Sequence, residues 1–290
     1  MKITGLTILR NGVKNNYPFK ESILSALPLV DEMIVCIGNS QDNTRDVLLS
    51  IQDPKIKIID TVWDTSNIKG GSILADETNK GLEFIGDDAD WILYLQADEL
   101  IHEKDIPIFR KSAENYFSDT SIDGFLSPYL HFYGDYQHTA YGRKWYRYEV
   151  RFIRNDKGIR SYKDAQGFRK NGKRLNVVKI GAPVYHYGWV KWPDQMKNKL
   201  IEASQYWSAN PNDPYVRGAQ QFAGFTSEEL VRPFTGTHPS VMKELIYNFE
   251  FQFDYDKSKL KLSFKHKFLN WIEAATGNRL FEFRNWRIIK

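Results

Sequence analysis

The first hundred residues contain four short apolar runs at regular intervals, Ile3–Leu9 and residues 33–37, 56–59 and 91–95. The first three are each followed by a polar loop and an amphipathic stretch. Runs of this length suit buried strands, whereas Phe19, Ile23, Leu27 and Val30 recur every three or four positions, the period of one helix face. Pro18 suits that helix's first turn. Asp42 can cap a second helix carrying Val47, Leu48 and Ile51, and Leu74, Thr78, Leu82 and Ile85 mark a third. Residues 91–95 are apolar throughout, as in a strand covered on both faces. The order βαβαβαβ predicts a mostly parallel sheet with right-handed crossovers, and ligands of such sheets bind beyond the carboxyl ends of the strands. That points to the loops at residues 10–12, 38–44 and 96–103.

A chain of 290 residues with 42% hydrophobic content can bury a large core, in one domain or two modest ones, and is no disulfide-stapled miniature. Its one cysteine, Cys36, lies inside an apolar run and reads as a buried structural thiol, which suggests a reducing compartment. The amino-terminal sequence has no long apolar stretch with a cleavage site, and no run reaches the length of a membrane span, so the expectation is a cytoplasmic protein. The formal charge of +4 is unevenly spread. Residues 257–290 hold nine Lys or Arg against Glu273 and Glu282, an excess of seven that leaves the rest of the chain at −3.

Beyond residue 105 the alternation fades, and residues 125–152 become rich in aromatics. Strands are expected at residues 149–153 and 185–190, and Asp194 can cap a helix bearing Met196, Leu200, Ala203 and Trp207. Near the end, Phe264, Phe268, Trp271, Ile272 and Ala275 fall at helical spacing beside Lys261, Lys265 and Lys267. Such a basic amphipathic helix either docks on the core or rests on an anionic membrane surface. No internal repeat or low-complexity tract occurs.

The acidic pair Asp98-Glu99 directly follows the most apolar strand, where a phosphate-bound divalent cation would lie, and hard oxygen ligands suit Mg²⁺ or Mn²⁺. Read alone, the pair is equally a turn or a helix cap. In context, the segments Leu6-Thr7-Ile8-Leu9-Arg10-Asn11, Gly38-Asn39-Ser40-Gln41-Asp42-Asn43-Thr44, Asn79-Lys80-Gly81 and Leu93-Tyr94-Leu95-Gln96-Ala97-Asp98-Glu99 occur in an order that resembles family 2 glycosyltransferases. The last looks like that family's Asp-x-Asp signature. Gln96 stands in place of the first aspartate and brings no charge, while Gly38-Asn39 replaces a common base-reading acid.

The resemblance implies an α/β fold of GT-A type: a mixed, mostly parallel central sheet flanked by helices. It implies a catalytic domain over residues 1–240, with residues 241–290 as a basic, aromatic, helical extension. The implied activity is an inverting, metal-assisted transfer from a nucleoside-diphosphate sugar to a glycan or lipid-linked acceptor in cell-surface glycan synthesis. Donor contacts fall on Arg10, Asn39, Gln96 and Ala97, and metal ligands on Asp98 and His186, the latter within Tyr185-His186-Tyr187, which looks like the family's carboxy-proximal histidine segment. His186 can equally be a packed, hydrogen-bonded strand residue. Asp164 is the leading general base, ahead of Glu149, unless it is a turn residue. His102 and Glu103 read as a loop border rather than a metal site. The aromatic segment offers ring faces to an acceptor, or packs the core. Arg143, Arg147, Arg151 and Arg154 could neutralise a diphosphate or stand at exposed strand edges.

A nucleotidyltransferase would carry a longer glycine-rich phosphate loop than Arg10-Asn11-Gly12. A noncatalytic binder of nucleotide sugars or glycans on the same fold is the alternative that Gln96 keeps open. The basic clusters at residues 169–174 and in the tail come with no nucleic-acid motif, so no nucleic-acid partner is expected; docking of the tail on the core is the favoured expectation, with peripheral membrane contact at the inner face as its alternative.

Overall fold

A computed structural model of the chain describes residues 1–66, 68–227 and 229–289. In chain order the elements are β1 (Ile3–Leu9), α1 (Phe19–Ala26), β2 (Glu32–Ile37), α2 (Thr44–Leu49), β3 (Ile56–Asp60), α3 (Ile73–Glu83), β4 (Trp91–Tyr94), β5 (Glu99–Ile101), α4 (Ile106–Asn115), β6 (Gly124–Gly134), β7 (His138–Ala140), β8 (Tyr148–Arg154), β9 (Ile159–Tyr162), β10 (Gly167–Lys170), β11 (Lys173–Lys179), β12 (Val184–Val190), α5 (Pro193–Ser204), α6 (Pro214–Gln221), β13 (Val231–Pro233), α7 (Lys243–Tyr247), α8 (Phe264–Thr276) and β14 (Trp286–Ile288).

The expected alternation forms a sheet in the order β3-β2-β1-β4, parallel throughout. β1, β2 and β4 are buried along their full lengths, which is why their sequences are continuous apolar runs. The sheet then turns mixed: β8 enters antiparallel between β4 and β6, and β11 and β12 both run parallel to β6. Long aromatic side chains fill this second half. Phe125, Phe132 and Phe152 are fully buried, with Trp91 tilted against Phe125 at 4.9 Å between ring centroids. The segment expected to offer rings to an acceptor is therefore mostly core, although Tyr146 reaches the cavity described below.

α5 begins one residue before the expected cap, at Pro193, a favoured first-turn residue, with Trp192 in the capping position. The tail joins the same body, because β14 pairs in parallel with β11. Its helix α8 buries only Leu269, while Phe264 is 85%, Phe268 51% and Trp271 65% exposed. Polar contacts dock the tail instead: Arg143 binds Glu273, Arg147 binds Glu282, and the tail's own Arg279 donates to the carbonyls of Tyr141 and Trp145. Those contacts account for two of the four arginines expected to meet an anion. Arg151 pairs with Glu99 in the core, and Arg154 caps the carbonyls of Tyr116, Asp119 and Ile122. Lys290 of the basic tail lies outside the described residues. No helix among the described residues is long and apolar enough to cross a membrane.

Candidate active site

β4 ends at Tyr94, and the chain turns through residues 95–98 before pairing again as β5. β5 runs antiparallel to β12 with Glu99 opposite His186, and the Tyr187 amide donates to the Asp98 carbonyl at 2.8 Å. This register brings two residues from distant parts of the chain together: His186 Nε2 lies 3.7 Å from Asp98 Oδ2. Gly188 follows on the same strand, where a Cβ would sit 2.4 Å from His186 Nε2 and 2.5 Å from Asp98 Oδ2. From the other side, α5 directs Lys199 Nζ to Asp98 Oδ2 at 3.0 Å and to the Gly188 carbonyl at 2.8 Å.

Only one member of the acidic pair faces this space. Glu99 is fully buried and receives Arg151 Nε at 2.7 Å and Nη2 at 2.8 Å, with the Tyr129 hydroxyl and the Gln96 amide as further donors. It is a core ion pair, satisfied on both oxygens. Burial alone would push the Asp98 carboxyl up, but the charge around it, that of Lys199 first, outweighs it and holds the group well below the usual carboxylate range. Burial pushes His186 down against the pull of Asp98, and pushes His131 further down. With burial disfavouring the charged form of both rings, their hydrogen bonds set the tautomers. His131 Nε2–H donates to the Tyr146 carbonyl at 2.9 Å, so its Nδ1 accepts from His186 Nδ1–H at 3.2 Å. His186 Nε2 therefore turns a lone pair toward Asp98.

Asp98 and His186 line a cavity of about 340 Å³ at the carboxyl ends of β1 and β4, together with Arg10, Gln96, Ala97 and Asp164. The Arg10 guanidinium lies 5.8 Å and 5.7 Å from the ring centroids of Trp63 and Tyr206. Its Nε and the Trp63 Nε1 are buried with no hydrogen-bond partner among the described residues, which leaves both donors available to a group entering the cavity. The Gln96 side-chain amide donates to the Ala165 carbonyl at 3.5 Å and also bonds Tyr94. Asp164 stands in the turn between β9 and β10, between Lys163 and Ala165, both left-handed at φ 58° and 57°. Burial raises its carboxyl above the usual aspartate value.

Asn39 is not among the residues lining the cavity; its Oδ1 faces the Trp63 backbone amide at 3.4 Å. Glu149, 2% exposed beside Arg151, borders a neighbouring cavity with Tyr146 and Gln166. His102 bonds Thr237 Oγ1 at 2.9 Å through Nε2 and accepts from the Lys104 amide through Nδ1, so it borders the loop as expected.

The residues present fit a divalent cation that substrate phosphates help to hold. Asp98 Oδ2 and the His186 Nε2 lone pair converge where Gly188 leaves room, and a carboxylate with a neutral imidazole suits Mn²⁺ or Mg²⁺ when phosphate oxygens complete the shell. Among the described residues no group of three or more His, Cys, Asp or Glu is arranged to hold an ion alone.

Several cavity residues escaped the sequence reading. α5 was expected to present Met196, Leu200, Ala203 and Trp207 to the core, yet its buried residues are Met196, Glu202 and Ser204. Lys199, Glu202 and Tyr206 turn into the cavity, and Asn11 Nδ2 donates to Glu202 Oε1 at 2.7 Å, clamping the β1 loop to α5. The available signal was two charged residues at positions 199 and 202, one helical step apart inside an otherwise amphipathic stretch.

No curated protein matches the sequence. Among solved structures, TarS from S. aureus is similar at 13% identity and a TM-score of 0.41, over 70% of this chain and 39% of that one. Glucosyl-3-phosphoglycerate synthase from Mycobacterium tuberculosis, solved with Mn²⁺, uridine diphosphate and phosphoglyceric acid, is similar at 17% identity and a TM-score of 0.33, over 44% and 43%. 4-Diphosphocytidyl-2C-methyl-D-erythritol synthase from Anaerococcus prevotii gives 11% and 0.41, over 71% and 95%. The matched regions thus span less than half the length of the first two proteins. The family described as Glycosyl transferase family 2 matches residues 17–174, more than half of the sequence, and the chain belongs to that family.

Proposed function

We propose that the protein is an inverting glycosyltransferase that moves a sugar from a nucleoside-diphosphate sugar to a hydroxyl of a glycan or lipid-linked acceptor in cell-surface glycan synthesis. The observation that carries this reading is the convergence of Arg10, Gln96, Ala97, Asp98, Asp164 and His186 on one cavity. Arg10 and Gln96 bind phosphate or ribose oxygens of the donor, and Arg10 brings an unpartnered buried donor group to that task. Ala97 lets the backbone approach the donor closely, while Asn39 acts at one remove by holding the Trp63 backbone.

Asp164 takes the proton from the acceptor hydroxyl. The acceptor oxygen bonds the anomeric carbon, and the bond from that carbon to the diphosphate breaks, its electron pair leaving with the diphosphate. A carboxyl raised by burial is a stronger base than an exposed one, which suits the role. Asp98 and His186 would hold Mg²⁺ or Mn²⁺, and the chemistry such an ion supplies when bound is neutralisation of the charge gathering on the diphosphate. We place the enzyme at the cytoplasmic face of a membrane; the exposed rings of α8 beside Lys261, Lys265 and Lys267 support that location.

Calorimetric titration with a panel of nucleotide sugars, with Mn²⁺ and with chelator, tests the reading. One donor should bind, Asp98→Asn should weaken its metal-dependent binding, and Asp164→Asn should spare binding while slowing transfer about 10²- to 10⁴-fold. Failure of every nucleotide sugar to bind would sink it.

A further inference from the structure

Lys199 occupies a place in the cavity that the reaction as outlined does not use. Its side chain is 13% exposed, its Nζ lies 4.9 Å from the centroid of the Tyr17 ring, and two protein oxygens, Asp98 Oδ2 and the Gly188 carbonyl, each accept from it. An ammonium has three N–H donors, so one remains for a ligand. The carboxylate expected to hold a metal is thus already neutralised by a fixed cation. A divalent ion arriving alone would meet one carboxylate, one neutral imidazole and an ammonium touching the same oxygen. A diphosphate changes that balance, because its charges can be shared by both cations, as phosphate oxygens are by a lysine and a metal in other phosphate sites.

We propose that Lys199 is a ligand of the donor's diphosphate which holds the Asp98 charge while the site is empty, so that a divalent cation enters with the diphosphate and not before it. The proposal rests on the donor reading of this cavity. Lys191, the other lysine near Asp98, is fully buried, bonded to the Asn16 carbonyl and close to the Tyr17 ring, so it cannot take over the exposed role. Gly188 matters to the same device, since it supplies the second acceptor and leaves room above Asp98 and His186.

The test is a Mn²⁺ titration followed by the electron paramagnetic resonance of the free ion, on the full chain, with and without UDP, GDP, ADP or dTDP added singly. In the wild type, Mn²⁺ alone should bind at least about tenfold more weakly than in the presence of whichever diphosphate binds, a coupling of ordinary size. Lys199→Met and Lys199→Gln should bind Mn²⁺ alone about tenfold more tightly than the wild type and the diphosphate about tenfold more weakly, whereas Lys199→Arg should keep the wild-type order. Equal affinity of wild type and both neutral variants for Mn²⁺ alone would overturn the counter-ion role, and unchanged diphosphate affinity would overturn the ligand role. A wild-type diphosphate complex that excludes Mn²⁺ would overturn joint entry. Each of those results leaves the donor site standing; if none of the four diphosphates binds any of the proteins, the donor reading falls and this one with it.

Discussion

Beside Arg151, the Glu149 carboxyl is 2% exposed, and burial pushes it up to about 8, against 4.5 for an unperturbed glutamate. A folded value above the unfolded one means that the native state holds the proton more tightly, so stability should fall as the pH rises from about 4.5 to about 8. Glu149→Gln, which mimics the protonated acid, should melt with the wild type near pH 4 and about 5 °C above it at pH 8. Melting curves that stay parallel across that range would show that the group is not buried in its neutral form. At this scale the sequence exposed chemistry better than orientation. Asp98 and Glu99 are neighbours in an acidic pair, yet alternation along the chain sends one into the cavity and the other onto Arg151. Which of the two faces the cavity depends on the partner strand β12, where His186, almost ninety residues on, stands opposite Glu99.

The strands were the most legible elements. Continuous apolar runs marked β1, β2 and β4, because burial on both faces selects apolar side chains, and β8 and β12 fell close to their expected positions although they carry Glu149, Arg151 and His186. The antiparallel pairing of β5 with β12 was not legible, since β5 is three residues long and nothing in them names a partner. That pairing nevertheless builds the site, and it makes Gly188 a demanding position. In Gly188→Ala, the new Cβ would force His186 and Asp98 apart, so donor binding with Mn²⁺ and transfer should both fall, transfer by about 10²-fold, while the circular dichroism spectrum remains that of the wild type. Full activity in that variant would mean that the two side chains do not work as a pair. α5 was misjudged for a related reason: hydrophobic spacing identifies the helix but not the use of its polar face, and a face that turns into a ligand cavity looks like a solvated one.

Over the whole molecule, charge and apolar surface are distributed unequally. The tail attaches through Glu273 and Glu282, and in doing so uses its only two acids, leaving the lysines at 257, 261, 265 and 267 around rings that point outward. Phe281 is 89% and Phe283 60% exposed beyond the end of α8. Aromatic side chains among unpaired cations suit an anionic lipid surface. The protein should sediment with phosphatidylglycerol vesicles and release at high salt, and replacing Trp271 and Phe281 with serine should reduce the bound fraction about fivefold. Equal retention on phosphatidylcholine, or no loss in the double variant, would count against membrane docking.

The clamp between Asn11 and Glu202 spans 191 positions of sequence, the Lys191 bond to Asn16 spans 175, and the Lys199 bond to Asp98 spans 101. Contacts that distant close large loops and form late, because their entropic cost must be met before they return any stability. A nascent or partly unfolded chain can therefore hold a native-like β1-to-β4 sheet and still lack the cavity these contacts complete, so that affinity for the proposed nucleotide-sugar donor should be acquired in one of the last steps of folding.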